Sequence, residues 1–130
     1  MYDYGHIRVE IPEPGIAVMS FIRPEKLNSW SREAFNDTLD FFRRLKADDD
    51  IKVVIIRGEG DRAFCTGADF VSLFPGEGDR DSAKKSYAFQ EDVRELVVLV
   101  HEARQVIISA IHGYAVGGGF FLTMASDIRI

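Results

Sequence analysis

The stretch AIHGYAVGGGFFLTMASDIRI, residues 110–130, sets three consecutive glycines, Gly117-Gly118-Gly119, between an apolar strand and an apolar helix. Upstream, FCTGADF at residues 64–70 is a second glycine turn that follows another apolar strand. Glycine lets a backbone approach a ligand closely and adopt angles closed to other residues. The first N–H groups of a helix lack internal partners and carry the positive end of its dipole. Two such turns can aim two backbone donors at one developing oxyanion, from which enzymes draw much of their electrostatic catalysis. The same glycines would also serve two tight turns that need them only for packing. A phosphate-cradling loop fits poorly, because no Lys-Ser or Lys-Thr follows Gly119 and no Gly-x-Gly-x-x-Gly occurs there.

Composition narrows the function classes. A chain of 130 residues is one domain's worth, and 46% hydrophobic with 28% charged residues is ordinary for a soluble globular protein. A net charge of −5 argues against nucleic acid as a partner, which needs a basic face. An anionic ligand stays open, since local cations and helix N-termini can hold phosphate. Cys65 is the single cysteine, so no internal disulfide forms and a reducing cytoplasm is the expected location. The start, MYDYGHIRVE, has neither a basic region nor an apolar core of a secretory signal. Residues 106–125 are largely apolar and hold a Gly113-x-x-x-Gly117 pair, but His112 and the three glycines would ruin a membrane helix. Strand, glycine turn and short buried helix is the reading that fits, with no membrane partner.

Strands alternate with helices along the chain. Residues 6–11 and 16–22 read as a hairpin around Pro12-Glu13-Pro14-Gly15. Ser31 is the expected N-cap of a helix carrying Phe35, Leu39, Phe42 and Leu45 at helical spacing, with Glu33 in its first turn and Asp48-Asp49-Asp50 beyond its end. Val53-Val54-Ile55-Ile56 lacks alternation, as expected of a strand buried on both faces. Residues 75–83, PGEGDRDSA, read as a polar, glycine-containing loop. A helix over 84–103 follows, with Phe89, Val93, Leu96, Val97 and Val100 as its apolar stripe. Val106-Ile107-Ile108 is the next buried strand, residues 118–125 a short helix, and Asp127–Ile130 the opening of one more strand. This order predicts an α/β fold.

FCTGADF and AIHGYAVGGG, the latter followed by an apolar helix and SDIRI, resemble the two signatures of the enoyl-CoA hydratase/isomerase (crotonase) superfamily. FIRPEKLNSWS at 21–31 resembles the family's early strand–turn–helix segment. The match runs in register from about residue 6 to Ile130. The resemblance implies a crotonase-like spiral of repeated β-β-α units, here the N-terminal portion of a single domain over 1–130, without the C-terminal part and trimerisation helices. It implies an acyl-CoA thioester whose carbonyl sits between the backbone N–H groups of Ala68 and Gly118, with coenzyme A as part of the substrate and no covalent cofactor. Arg23, Lys26 and Leu27, together with Thr66, Gly67, Ala68, Asp69 and Phe70, form the implied wall around the CoA, and Gly117 and Phe121 border the acyl group. Arg23 and Lys26 are the expected phosphate neighbours, because a cation beside a pyrophosphate gains charge-assisted bonds. A homo-oligomer, trimer or hexamer, is also implied.

Phe121 departs from the family pattern. Hydratases of this family carry a glutamate two residues after the triple glycine, and it helps activate the attacking water. Phenylalanine can neither accept a proton nor hold water. The second family glutamate would fall beyond Ile130, and a lysine the family often has after the GAD is replaced near Val71. Double-bond isomerisation, hydration, hydrolysis and decarboxylation all stay open as reactions. Among substitutes, Glu77, Asp79 and Asp81 read as a solvated loop, and Glu91 and Glu95 as helix surface. His101 and His112 are the histidines nearest the motifs, and His112 suits a hydrogen-bonded structural role. Asp69 is expected to fix its turn through local backbone N–H groups. Cys65 reads as a buried small hydrophobe, and without a Cys/His cluster no metal site is expected. The rival to an acyl-CoA enzyme is a non-catalytic CoA-thioester-binding or interaction fragment. A final expectation is that this chain leaves apolar surface exposed and does not work alone.

Overall fold

The computed structural model describes residues 1–74 and 82–130; Glu77, Asp79 and Asp81 lie outside the described residues. Two strands, β1 (Ile7–Glu13) and β2 (Ile16–Phe21), pair antiparallel with Val9 opposite Met19. Helix α1 (Arg32–Leu45) returns over them, and its N-cap is Ser31, whose Oγ accepts the Ala34 N–H at 3.2 Å. The second unit runs through β3 (Val53–Gly58), β4 (Ala63–Cys65), the single turn α2 (Phe70–Leu73) and α3 (Ser82–His101). The third is β5 (Val106–Ser109), β6 (Tyr114–Ala115) and α4 (Gly118–Ala125), after which β7 (Ile128–Arg129) begins another turn. Three β-β-α units thus follow one another, as the resemblance implies.

Among the described residues the larger sheet has the order β1-β2-β3-β5-β7, and from β2 onward all pairings are parallel. The second strands of successive units pair separately, β4 with β6. That split sheet lifts the loops after β4 and β6 to one end of the molecule, side by side.

Helix α1 sits on the sheet because Phe35, Leu39, Phe42 and Leu45 fall on one face, and all four are buried. Aromatic rings fill the centre, with Phe21 edge-on to Phe64 at 5.8 Å and Trp30 edge-on to Phe35 at 5.2 Å. Such geometry adds to the area each ring buries. Phe89, Leu96 and Val100 of α3 close the core, with Val93 and Val97 packed against it. The helix starts and ends two residues before the expected 84–103. Strand β3 also differs from expectation: Val54 and Ile56 are sealed, whereas Val53 and Ile55 are half-buried. Its apolar run is a parallel-sheet strand with one face fully covered by the described residues. Phe70, Val71, Tyr114, Val116, Phe120, Phe121 and Met124 are exposed.

The turn before α1 is held by Asn28. This buried residue takes a left-handed backbone (φ 54°), accepts the Arg23 N–H at 3.0 Å, and donates to the carbonyls of Glu59 at 2.9 Å and Ala63 at 2.8 Å. Asparagine tolerates that conformation better than most residues, and its amide replaces three missing backbone partners. Asn28→Ala should therefore lower unfolding stability by at least about 2 kcal/mol, since buried polar groups lose their partners. A urea midpoint unchanged from the parent would contradict that role.

Candidate active site

The first glycine turn leaves β4 at Cys65. Trp30 donates its N–H to the Gly67 carbonyl at 2.7 Å, and its own carbonyl accepts the Asp69 N–H at 3.0 Å. These two bonds form a parallel bridge across Ala68. The Ala68 N–H takes no part in the bridge and has no acceptor among the described residues. Asp69 caps α2, as expected, accepting the Ser72 N–H at 3.4 Å. Thr66 Oγ1 donates to the Leu27 carbonyl at 3.2 Å, joining this turn to the segment before α1.

The second turn follows β6. Val116 donates its N–H to the Cys65 carbonyl at 3.0 Å, extending the β4–β6 ladder into both loops. Gly117 then takes φ 56° and ψ −123°, a combination open essentially to glycine, and α4 starts at Gly118. The N–H groups of Gly119 and Phe121 bond to Val116 and Gly117 carbonyls, both at 3.0 Å. The Gly118 N–H has no acceptor among the described residues and carries the positive end of the α4 dipole.

The two turns touch through glycine. A Cβ on Gly67 would stand 2.7 Å from the Gly118 nitrogen. Only a residue without a side chain leaves the space before that donor open, and Gly67 also holds φ 78°. A Cβ on Gly118 would overlap the six-membered ring of Trp30, and one on Gly119 would overlap the Cys65 carbonyl. The structure therefore brings Gly67, Ala68, Gly117 and Gly118 together around two unbonded donors.

The charged neighbours are arranged differently from their expected task. Arg23 donates to the Asp69 carboxylate at 3.0 Å and to the Ser29 carbonyl at 3.3 Å, so its charge is already paired inside the protein. Burial works to raise the Asp69 carboxyl, but the Arg23 guanidinium and the Ser72 N–H outweigh it and hold the group below the ordinary carboxylate range. Lys26 stands exposed at the end of the 3-10 turn Pro24–Lys26, and Leu27, half-buried with φ 54°, follows it. Burial pushes the Cys65 thiol up to about 12, opposed by the Gly67 N–H; it is neutral and poorly nucleophilic at neutral pH. Phe121 is 49% exposed, on the first turn of α4, beside Phe120. The eight residues of α4 include no titratable side chain.

Glu95 of α3 is bound at the surface by Arg43 at 2.7 Å. His112, expected to be hydrogen-bonded, has a buried Nε2 without a partner among the described residues. Those residues contain no group of three or more His, Cys, Asp or Glu able to hold a metal, and no helix long and apolar enough to cross a membrane. Asn28 and Trp30 are the site's supports that sequence reasoning missed. They lie in an irregular turn where neither helical nor strand periodicity marks an inward side chain.

The chain's likeness to other proteins agrees with this architecture. A family model described as enoyl-CoA hydratase/isomerase matches residues 12–130. A Mycobacterium leprae protein named probable enoyl-CoA hydratase echA12 is 29% identical over 124 residues, covering 94% of this chain and 42% of that protein. A probable peroxisomal enoyl-CoA hydratase 1 of Arabidopsis thaliana is 34% identical over 127 residues, 95% of this chain and 43% of that protein. The chain thus spans less than half the length of these curated relatives. Among solved structures, an enoyl-CoA hydratase from Bacillus anthracis superposes with a TM-score of 0.85 at 27% identity, covering 96% of this chain and 46% of that one. A monofunctional enoyl CoA isomerase from M. smegmatis gives 0.73 at 26% identity, covering 95% and 48%. The fold is crotonase-like.

The Arg23–Asp69 pair has a pH signature. A carboxyl held low in the folded state contributes stability that is present above the ordinary aspartate value and is lost as pH falls through the folded value. Between about pH 5 and pH 2, Asp69→Asn should flatten the fall in urea midpoint relative to the parent, while lowering the midpoint at neutral pH. Parallel profiles for the two proteins would show that the pair adds nothing.

Proposed function

The chain belongs to the enoyl-CoA hydratase/isomerase family, and from that premise we propose that it supplies the oxyanion hole of an acyl-CoA-transforming enzyme. The N–H groups of Ala68 and Gly118 grip the thioester oxygen and stabilise the negative charge that gathers there as the enolate forms. The observation that carries this reading is the pair of unbonded donors in two turns that touch at Gly67 and Gly118. Both donors are backbone and held in place before substrate arrives, so they need no reorganisation as charge develops.

In this reading Thr66, Gly67, Asp69 and Phe70 form one wall beside the pantetheine, and Gly117 and Phe121 border the acyl group. Lys26 faces the CoA phosphates with Leu27 beside it, while Arg23 shapes the wall through Asp69. Residues 1–130 act as the N-terminal portion of a crotonase-like domain, and the exposed apolar side chains around α2 and α4 are the face its remainder covers. The protein works as a homo-oligomer, a trimer or hexamer, in the cytoplasm, with coenzyme A entering only as part of its substrate.

Phe121 narrows the chemistry. The position at which hydratases of the family carry a water-activating glutamate holds a ring with no proton acceptor. Enolate chemistry that needs no water from this side, such as double-bond isomerisation, suits the site better than hydration.

Ala68→Pro tests the first donor. The proline removes the N–H without removing either group that bonds Trp30, the Gly67 carbonyl and the Asp69 N–H. Turnover of the protein's acyl-CoA substrate should fall at least about a hundredfold, the usual effect of losing one such donor, and Ala68→Gly should retain it. A folded Ala68→Pro variant with parental turnover would sink the assignment. With crotonyl-CoA as substrate, steady-state hydration should be slow, and a kcat/KM near the diffusional ceiling of about 10⁸ M⁻¹s⁻¹ would refute the role given to Phe121.

A further inference from the structure

We infer that Trp30 is the positioning residue that sets the spacing of the two donors, an inference that rests on the oxyanion-hole reading above. Trp30 touches both loops, the first through its backbone and the second through its ring. Its backbone clamps the first, donating to Gly67 at 2.7 Å and accepting from Asp69 at 3.0 Å, on either side of Ala68. Its side chain meets the second: the ring edge formed by Cε3, Cζ3 and Cη2 lies so close to the Gly118 Cα that a methyl group there would overlap it. One rigid side chain therefore runs from the strand-like segment beside Ala68 to the first residue of α4.

The ring cannot yield. Trp30 is 1% exposed and is wedged edge-on by Phe21 at 6.3 Å and Phe35 at 5.2 Å, with Phe35 itself fully buried. A packed core transmits displacement instead of absorbing it. A shorter side chain would leave a gap beneath Gly118 into which the start of α4 can settle, and its N–H would swing away from the oxygen shared with Ala68. The indole Nε1 is buried with no hydrogen-bond partner among the described residues. Retaining an indole that leaves its N–H unbonded fits selection of the ring for its length and rigidity, since phenylalanine would avoid that cost.

The contact also explains Gly118 in a way independent of its backbone angles. Its φ is negative and it stands at the first helical position, where alanine is readily accommodated. What forbids alanine is the Trp30 ring. Ring and glycine are complementary, so enlarging one requires shrinking the other.

The test combines two readouts on the protein that carries this chain. Saturated butanoyl-CoA, ¹³C-labelled at the thioester carbonyl, is bound and its C=O stretch followed by isotope-edited infrared spectroscopy, while kcat and KM are measured with a reactive enoyl-CoA. The parent should shift the bound carbonyl to lower frequency. Trp30→Phe should lose most of that shift and lower kcat by about tenfold to a hundredfold, the scale of a misplaced catalytic group, with KM within about twofold. Gly118→Ala, which presses on the same contact from the helix side, should do the same. The double variant Trp30→Leu with Gly118→Ala should recover part of both, because the added methyl fills the vacated space. A tryptophan that serves only stability would lower the urea midpoint while leaving the carbonyl shift and the kcat of folded protein at parental values, and that result would overturn the inference. If Trp30→Phe does not fold, a Gly118→Ala variant with parental shift and kcat overturns it equally. Absence of a shift, or of butanoyl-CoA binding, in the parent would instead remove the oxyanion-hole reading, and this inference with it.

Discussion

The parallel pairing of β4 with β6 is the constraint on which the candidate site depends. Cys65 and Ala115 lie in register, and the Val116 N–H donates to the Cys65 carbonyl, so the chain leaves both short strands at the same level. Gly67 and Gly118, 51 positions apart in sequence, are then brought so close that a Cβ on Gly67 would stand 2.7 Å from the Gly118 nitrogen. A side chain at Gly67, or at Gly119 over the Cys65 carbonyl, would push the loops apart, and one at Gly118 would strike the Trp30 ring. The glycines are therefore demanded by close approach across the small sheet as much as by local backbone angles.

A site made of main-chain donors has a consequence for its chemistry. The groups that would stabilise an oxyanion do not titrate, and they stay in place whatever side chains surround them. The side chains nearby are free to specialise, which is how a phenylalanine can occupy position 121 without disturbing the turn that presents Gly118. The charged residues support the other turn, the one that holds Ala68. Arg23 neutralises Asp69, Asp69 caps α2, and α2 closes the loop holding Ala68. Charge here serves architecture, and the neutral Cys65 beneath it adds no competing nucleophile.

The irregular segment from Arg23 to Ser31 ties the halves of the site together. Asn28 anchors it to the loop between β3 and β4, Leu27 receives Thr66, and Trp30 bridges Ala68. None of these bonds belongs to a regular element, yet together they fix the first donor relative to the larger sheet. A turn with two consecutive left-handed residues, Leu27 and Asn28, can hold this shape because its polar groups are satisfied from three separate directions.

The β-β-α repeat was implied by the resemblance of the motifs to a family; the order of elements, the N-cap at Ser31 and the apolar stripe of α1 were legible in the sequence itself. They depend on spacing within ten or so residues, which periodicity records directly. The two glycine motifs were legible as donor turns for the same reason, since strand, glycine and helix lie in line. Their meeting was not, because the approach of Gly67 to Gly118 is a product of β4–β6 register across about fifty residues. Nor was the half-open face of β3, since a continuous apolar run states what a strand can bury but not what covers it. Arg23 shows the same limit: its charge is plain in the sequence, while its commitment to Asp69 is decided by where two distant turns come to rest. Trp30 reads as one more apolar residue until the fold sets its backbone against one loop and its ring against the other. Local patterning determined the pieces of this protein, and only packing over long sequence separations, where a single added Cβ at Gly67, Gly118 or Gly119 would overlap its neighbour, decided that two of those pieces meet.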